Sequence, residues 1–302
     1  MDISLLIATY NGQKTLRMTL ESLTRMDVEG VDWELLVCDN NSTDLTASIL
    51  KEYEQKLPLK IYYEGQQGKS AALNKILYQA QGDILILTDD DVIADTLFLK
   101  SFLNIANSKL EYDIFGGKIE PYFSVQKPNW YDSFGFKHIA YAITPESFDK
   151  KEVGPGSIFG ANVAFRRSAL TDNILFNTRV GPTSGNYEMG CETDFLTRLS
   201  AGRKCWFDSS IIVKHILKDF QFDYKWLKAR GLKYGLSMYT KEKELKFQGV
   251  KTVHEIPLWR IKVFLVNWFQ MTFLPKNKDK ANNYWEVGFF WGYLKKRFKN
   301  NK

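Results

Sequence analysis

Short uninterrupted apolar runs, each closed by a turn signal and followed by a stretch of helical spacing, alternate through the first third of the chain. Residues 3–9 run into the turn Tyr10-Asn11-Gly12 and predict a strand followed by a helix over about 14–24. Residues 33–38 form a second run, ending in Asp39-Asn40-Asn41-Ser42-Thr43-Asp44, where Ser42 or Thr43 can cap a helix reaching about residue 54. Residues 59–63 are followed by Gly65-Gln66-Gln67-Gly68 and a helical pattern over 69–80, and residues 84–88 form a fourth run. Apolar strands of this kind, separated by amphipathic helices, predict a parallel sheet covered on both faces, with right-handed crossovers. The strand carboxyl ends then share one edge, where open α/β sheets bind ligands.

The fourth run ends in Asp89-Asp90-Asp91, and Asp39 ends the second. In an extended chain i and i+2 side chains point the same way, so Asp89 and Asp91 can face one ion together. Adjacent carboxylates repel, so the triplet reads either as a solvated acidic turn or as the holder of a hard divalent cation on a phosphate.

Beyond a helix near 96–107 and a strand near 114–119 the pattern loosens. Residues 121–160 are irregular and aromatic, with Tyr122, Phe123, Trp130, Tyr131, Phe134, Phe136 and Tyr141, which either pack the loop on the body or stack on a bound acceptor. Residues 158–165 carry Gly160-Ala161-Asn162, a glycine-broken loop spans 180–190, and Glu192 and Asp194 fall at the start of a helix, where carboxylates are favoured. A short strand over 211–213 leads to His215, and helical patterns follow over 224–239, 256–274 and 281–298. Arg260, Lys262, Asn267 and Gln270 interrupt the second of these on more than one side, which predicts a surface-lying or core-packed helix rather than a membrane span.

Charge divides the chain. From residue 214 onward there are 20 Lys and Arg against 7 Asp and Glu, a net of +13 within an overall +6, so the front part is acidic and the tail basic. Cys38, Cys191 and Cys205 have no metal-ligand spacing and suggest no disulfide framework, and the start Met1-Asp2 leads straight into a strand without a signal-peptide flank. The expected location is cytoplasmic, with peripheral association at the inner face of a membrane as an extension of it.

Six segments stand in order across residues 3–215: IATYNG, LLVCDNNSTD, GKSAALN, GDILILTDDDV, GANVAFRRSAL, and CETDFLTRLSAGRK followed by His215. In these the chain resembles the family-2 glycosyltransferases, inverting enzymes of the GT-A fold that use nucleotide-diphospho-sugars. The resemblance implies a Rossmann-like, mostly parallel sheet with helices on both faces. It makes 1–120 a donor-binding half, 121–215 an acceptor-binding half and 216–302 a helical tail. Thr9, Tyr10, Asn11 and Asp39 would contact the nucleotide. Asp89 and Asp91 would form the Asp-any-Asp motif, the first touching ribose and the second Mg²⁺ or Mn²⁺, with Asp90 able to substitute. Lys69 would approach the donor phosphates or cap its own turn. Cys191-Glu192 stands where Glu-Asp is commoner, so Glu192 falls on the position of the base, with Asp194 the alternative. His215 would be a further metal ligand or a buried hydrogen-bonded histidine. The acceptor, a sugar, lipid-linked or polypeptide hydroxyl, would be selected by residues 121–190, with Trp130, Gly160 and Asn162 among its contacts.

Other readings use the same residues. GQQGKS before the acidic strand suggests a phosphate loop, but Tyr63 occupies the position that needs glycine. The glycine-rich, arginine-bearing loop of a sugar nucleotidylyltransferase is absent from IATYNGQKT. A non-catalytic binder of nucleic acid or membrane would rest on the tail, where Trp285, Phe289, Phe290, Trp291, Tyr293 and Lys295-Lys296-Arg297 suit an anionic lipid surface better than nucleic acid. That pattern is read here as an accessory to the enzyme, docking at the membrane or packing beneath the sheet.

Overall fold

The computed structural model describes residues 1–171, 174–183, 188–244, 250–274 and 279–299. In chain order the elements are β1 (Ile3–Thr9), α1 (Leu16–Thr24), β2 (Trp33–Asp39), α2 (Thr46–Tyr53), β3 (Leu59–Tyr63), α3 (Lys69–Leu77), β4 (Ile84–Asp89), β5 (Val92–Ala94), α4 (Phe98–Ser108), β6 (Ile114–Phe123), α5 (Lys137–Ala140), β7 (Lys151–Val153), β8 (Val163–Arg166), α6 (Cys191–Leu199), β9 (Cys205–Leu217), α7 (Tyr224–Glu244), β10 (Thr252–Val253), β11 (Ile256–Pro257), α8 (Leu258–Phe273) and α9 (Lys280–Lys299). They form two compact units, one of Met1–Tyr122, Ala142–Ser184 and Gly190–Ile216, the other of Phe123–Tyr141, Gly185–Met189 and Leu217–Lys302. The aromatic stretch 123–141, expected with an acceptor half ending at 215, thus clusters with the tail.

The first unit is built on a sheet in the order β3-β2-β1-β4-β8-β6-β9-β5, with β7 on β9. β3, β2, β1 and β4 are mutually parallel, and β8 then runs antiparallel to both β4 and β6. The pleat sends Leu6, Leu36, Leu85 and Leu87 to one face, where they pack with Ala72, Leu73, Ile76 and Leu77 of α3 and Phe195, Leu196 and Leu199 of α6. Residues of the other parity, Leu5, Ile7, Leu35, Val37 and Ile86, are equally buried. Burial on both faces is why these strands are apolar throughout.

Three local expectations are corrected. Neither Ser42 nor Thr43 caps α2; the Asp44 carboxylate accepts the Thr46 N–H at 3.0 Å, while Ser42 and Thr43 bond to Asn11. The strand expected at 211–213 is the thirteen-residue β9, whose polar middle is satisfied by Ser209 Oγ donating to Asp149, sixty residues earlier, and by the Ser210 N–H donating to Asp208. The tail aromatics, left open in sequence between lipid contact and packing, are mostly core rather than lipid-facing. Trp285 and Tyr293 are fully buried and Phe289 and Phe290 nearly so, leaving Trp291 exposed.

In the second unit α7 and α9 meet backbone to backbone. A Cβ on Gly231, Gly235, Gly288 or Gly292 would strike the main-chain carbonyl oxygen of Trp285, Phe289, Lys228 or Leu232 respectively. The loop rings fill the same core: Trp130 packs against Phe134, Phe222 and Tyr224, and Phe136 stacks on Trp285.

Candidate functional site

Register places the functional side chains. Thr9 pairs with Asp39 and Ala8 with Asp89, so Thr9, Asp39 and the acidic triplet leave the sheet at one edge. Thr9 Oγ1 donates to Asp90 Oδ2 at 2.5 Å, and Gly12 makes this approach feasible, since a Cβ there would lie 2.8 Å from Asp90 Oδ2. The turns after β1 and β2 are stitched by Asn11, held at positive φ, whose N–H donates to Ser42 Oγ and whose Oδ1 accepts the Thr43 N–H, each at 2.9 Å. Asp39 is buried and accepts the Ser42 N–H at 3.0 Å, and Tyr10 is half exposed at the rim.

Asn40 is a positioning residue that pattern reading passes over. It is buried, its Nδ2 donates to Glu64 O and Gln66 O, and its Oδ1 accepts the Gly68 N–H at 2.7 Å. The Gly65–Gly68 turn is thereby fixed, with Gly68 at φ 140° as the residue before α3. Lys69, the first residue of α3, then points at the acids.

Lys69 Nζ lies 2.5 Å from Asp89 Oδ1 and 2.5 Å from Glu192 Oε1, with all three side chains mostly buried. Burial works against the charge on Lys69, but the Asp89 and Glu192 carboxylates outweigh it and hold the ammonium well above its ordinary range. Burial likewise pushes the Glu192 carboxyl up; Lys69 and the Cys191 thiol, which donates to Glu192 Oε2 at 2.9 Å, hold it below the usual carboxylate range. Burial and the neighbouring carboxylate raise Cys191, so its thiol stays a donor. Gly160 has a structural reason to be glycine: a Cβ there would sit 2.8 Å from Glu192 Cδ.

Asp194, two residues further along α6, is turned elsewhere, paired at 2.7 Å with Arg198 on the helix surface. His215 is brought in by the ladder of β5 on β9, in which Val92 faces His215 and the Ile216 N–H donates to Asp91 O. Its Nε2 lies 3.3 Å from Asp91 Oδ1. Asn162 is fully buried and its Nδ2 joins Lys118 O to Ile211 O, so this amide ties β6 to β9. Trp130 belongs to the second unit and is packed among that unit's rings.

A pocket of about 340 Å³ opens over this edge, lined by Thr9, Tyr10, Asn40, Gly68, Lys69, the acidic triplet, Pro182 and Thr183. A wider depression of about 770 Å³ lies at the opposite end of the sheet, beside Asp2, Ile84 and Arg166. There Arg166 is engaged by the carbonyls of Ala106, Lys109 and Tyr112, so the convergent chemistry belongs to the smaller pocket. The carboxylate of Asp91 beside the imidazole of His215, with Asp89 and Asp90 adjoining, is a donor set that fits Mg²⁺ or Mn²⁺. Among the described residues no three His, Cys, Asp or Glu side chains converge on one point, so an ion held there would complete its shell with phosphate or water oxygens.

Residues 4–173 match the model of glycosyl transferase family 2. The chain is 27% identical over 172 residues, 56% of its length, to the beta-monoglucosyldiacylglycerol synthase of Synechocystis, and 33% identical over 93 residues, 30% of its length, to the poly(ribitol-phosphate) beta-N-acetylglucosaminyltransferase TarS of Staphylococcus aureus. Those matches span 31% and 16% of the two relatives. Among solved structures it resembles a TarS fragment in complex with UDP-GlcNAc, with a TM-score of 0.57 and 16% identity over 100% of this chain and 92% of that one. It also resembles a mannosyltransferase from Pyrobaculum calidifontis in complex with GDP-Man and Mn²⁺, with a TM-score of 0.58 and 16% identity over 99% and 86% of the two chains. The fold is therefore GT-A-like, mixed α/β with a helical carboxyl-terminal region.

Proposed function

The chain belongs to glycosyl transferase family 2, and from that premise we propose that it moves a sugar from a nucleotide-diphospho-sugar to an acceptor hydroxyl, in the assembly of a polysaccharide, glycolipid or other cell-surface glycan. The observation that carries this reading is the Lys69 ammonium held 2.5 Å from both Asp89 and Glu192. It sets a buried carboxylate against the acid-bearing end of β4, beside a pocket of nucleotide size.

Thr9, Tyr10, Asn11 and Asp39 hold the nucleoside, and Asp89 and Asp90 face its ribose and diphosphate. Bound Mg²⁺ or Mn²⁺, kept by Asp91 with His215 beside it, would supply charge neutralisation for the departing diphosphate. Glu192 takes the proton of the acceptor hydroxyl as its oxygen bonds to the anomeric carbon. The bond from that carbon to the diphosphate breaks on the opposite side, so configuration inverts. Lys69 gives the donor phosphates a cation, and as it gains that third anionic neighbour its hold on Glu192 weakens and the carboxylate becomes a better base. Gly160 keeps the space that Glu192 needs.

The test is thermal stability across a panel of nucleotide-sugars with and without Mg²⁺ or Mn²⁺, for the wild type and Asp91→Ala. A ligand bound only by the folded state raises Tm by an amount set by its concentration over Kd. One nucleotide class should stabilise the wild type in the presence of metal and fail to stabilise Asp91→Ala. Absence of any shift across the panel, with either metal, overturns the reading.

A further inference from the structure

Helix α8 carries its most apolar face outward. Leu258, Lys262, Leu265, Val266, Phe269 and Phe273 recur at helical spacing along one exposed stripe, and no residue of the helix is buried. Leu265 is 53% exposed, Phe269 52% and Phe273 59%, and Trp259 flanks the stripe at 51%. The opposite side holds the helix to its unit, with Ile261 and Phe264 against the α9 core and Arg260 paired with Glu242. A contiguous apolar strip of this kind on a helix marks a binding surface.

Three observations indicate what covers it. The stripe carries a cation and its helix no acid: Lys262 lies within it, exposed, and in sequence the chain from 251 to the end is net positive, with 11 Lys and Arg against 3 Asp and Glu. Exposed tryptophans suited to a headgroup boundary stand on the same helix, Trp259 and Trp268. Two polar side chains of the helix bond to its own backbone, Thr272 Oγ1 donating to Trp268 O and Asn267 Nδ2 to Val263 O, each at 2.8 Å, which lowers the cost of entering a low-dielectric layer. Among the described residues no helix is long and apolar enough to cross a membrane, so contact would be in the plane of the surface.

We propose that the outward face of α8 docks this protein on an anionic lipid bilayer, with Leu265, Val266, Phe269 and Phe273 entering the headgroup boundary and Lys262 meeting anionic lipid. The partner is a lipid surface rather than a second copy of the chain, because Lys262 in the stripe and the net-positive sequence from residue 251 onward would repel their own image. The inference does not rest on the catalytic reading.

The experiment is co-flotation of the full chain with phosphatidylcholine vesicles containing or lacking phosphatidylglycerol, at low and high salt, beside sedimentation of the free protein. The wild type should float with the anionic vesicles, less at high salt, with blue-shifted tryptophan emission. Leu265→Ser/Phe269→Asp should lower partitioning by about tenfold or more, since burying one such side chain is worth more than that factor. Lys262→Glu should weaken binding to anionic vesicles selectively. Unchanged circular dichroism in both variants excludes misfolding as the cause. Failure to float with anionic vesicles at low salt, or flotation unaffected by both variants, overturns the proposal. A wild-type dimer dissociated by Leu265→Ser/Phe269→Asp, without flotation, overturns it in favour of self-association.

Discussion

The two ends of the parallel strands each bury a carboxylate beside a lysine, to different effect. At the amino end Glu34, the second residue of β2, accepts Ser4 Oγ at 2.6 Å, the Gln81 N–H at 2.7 Å and Lys60 Nζ at 2.7 Å. One carboxylate has one cation and two further donors, and Lys60 reaches into solvent. At the carboxyl end one mostly buried lysine serves two carboxylates, with two more acids adjoining. The first cluster is closed and holds three strands in register. The second is balanced in part by a group that can change partners, as a site binding an anionic substrate requires.

Removing the shared cation should separate the two most strongly. Lys69→Met leaves Asp89 and Glu192 buried without their counter-charge, and urea unfolding should find it destabilised by about 3–5 kcal/mol, with transfer abolished. Next, Glu192→Gln keeps the Lys69–Asp89 pair, so Tm should hardly move while sugar transfer falls by about 10²–10⁴; a variant with normal transfer would remove Glu192 as the base.

At the other end the expectation reverses. Glu34→Ala strands the donors of Ser4 and Gln81 and should cost about 1–3 kcal/mol, with transfer per folded molecule unchanged. Burial raises the Glu34 carboxyl, but Lys60, Ser4 and Gln81 together bring it below its ordinary range. Its stabilisation is therefore present above the unfolded value and lost as pH falls through the folded one. Melting curves from pH 7 down to pH 3 should show a shallower acid-side loss for Glu34→Gln than for the wild type. The smallest effect belongs to Asp194→Asn, whose partly exposed pair with Arg198 is worth under about 1 kcal/mol, with transfer close to that of the wild type.

How much of this was legible in sequence varied with the range of the interaction. The inner strands of the parallel half announce themselves because burial on both faces demands largely apolar runs, and β1, β2 and β4 lie within a residue of where their runs do. β5 is three residues behind an acidic triplet and has no period to detect; its place comes from pairing with β9. The acidic edge could be anticipated, since it needs only parallel strands. The Lys69–Glu192 pair joins residues from distant helices, and the tie of Asn40 to Gly68 is an amide whose partners are main-chain atoms, so neither leaves a local pattern. In the tail, aromatic content alone could not separate the rings that build the core on α9 from those left outward on α8.

The glycine seam of the second unit bears on ancestry. Gly231, Gly235, Gly288 and Gly292 each face a carbonyl oxygen of the opposing helix with no room for a methyl group, so drift at these four positions is penalised whatever happens around them. The family match ends at residue 173, ahead of both helices. Two Gly-x-x-x-Gly pairs, one on each of two long helices, would mark descendants of this unit after the rest of its sequence has diverged past recognition.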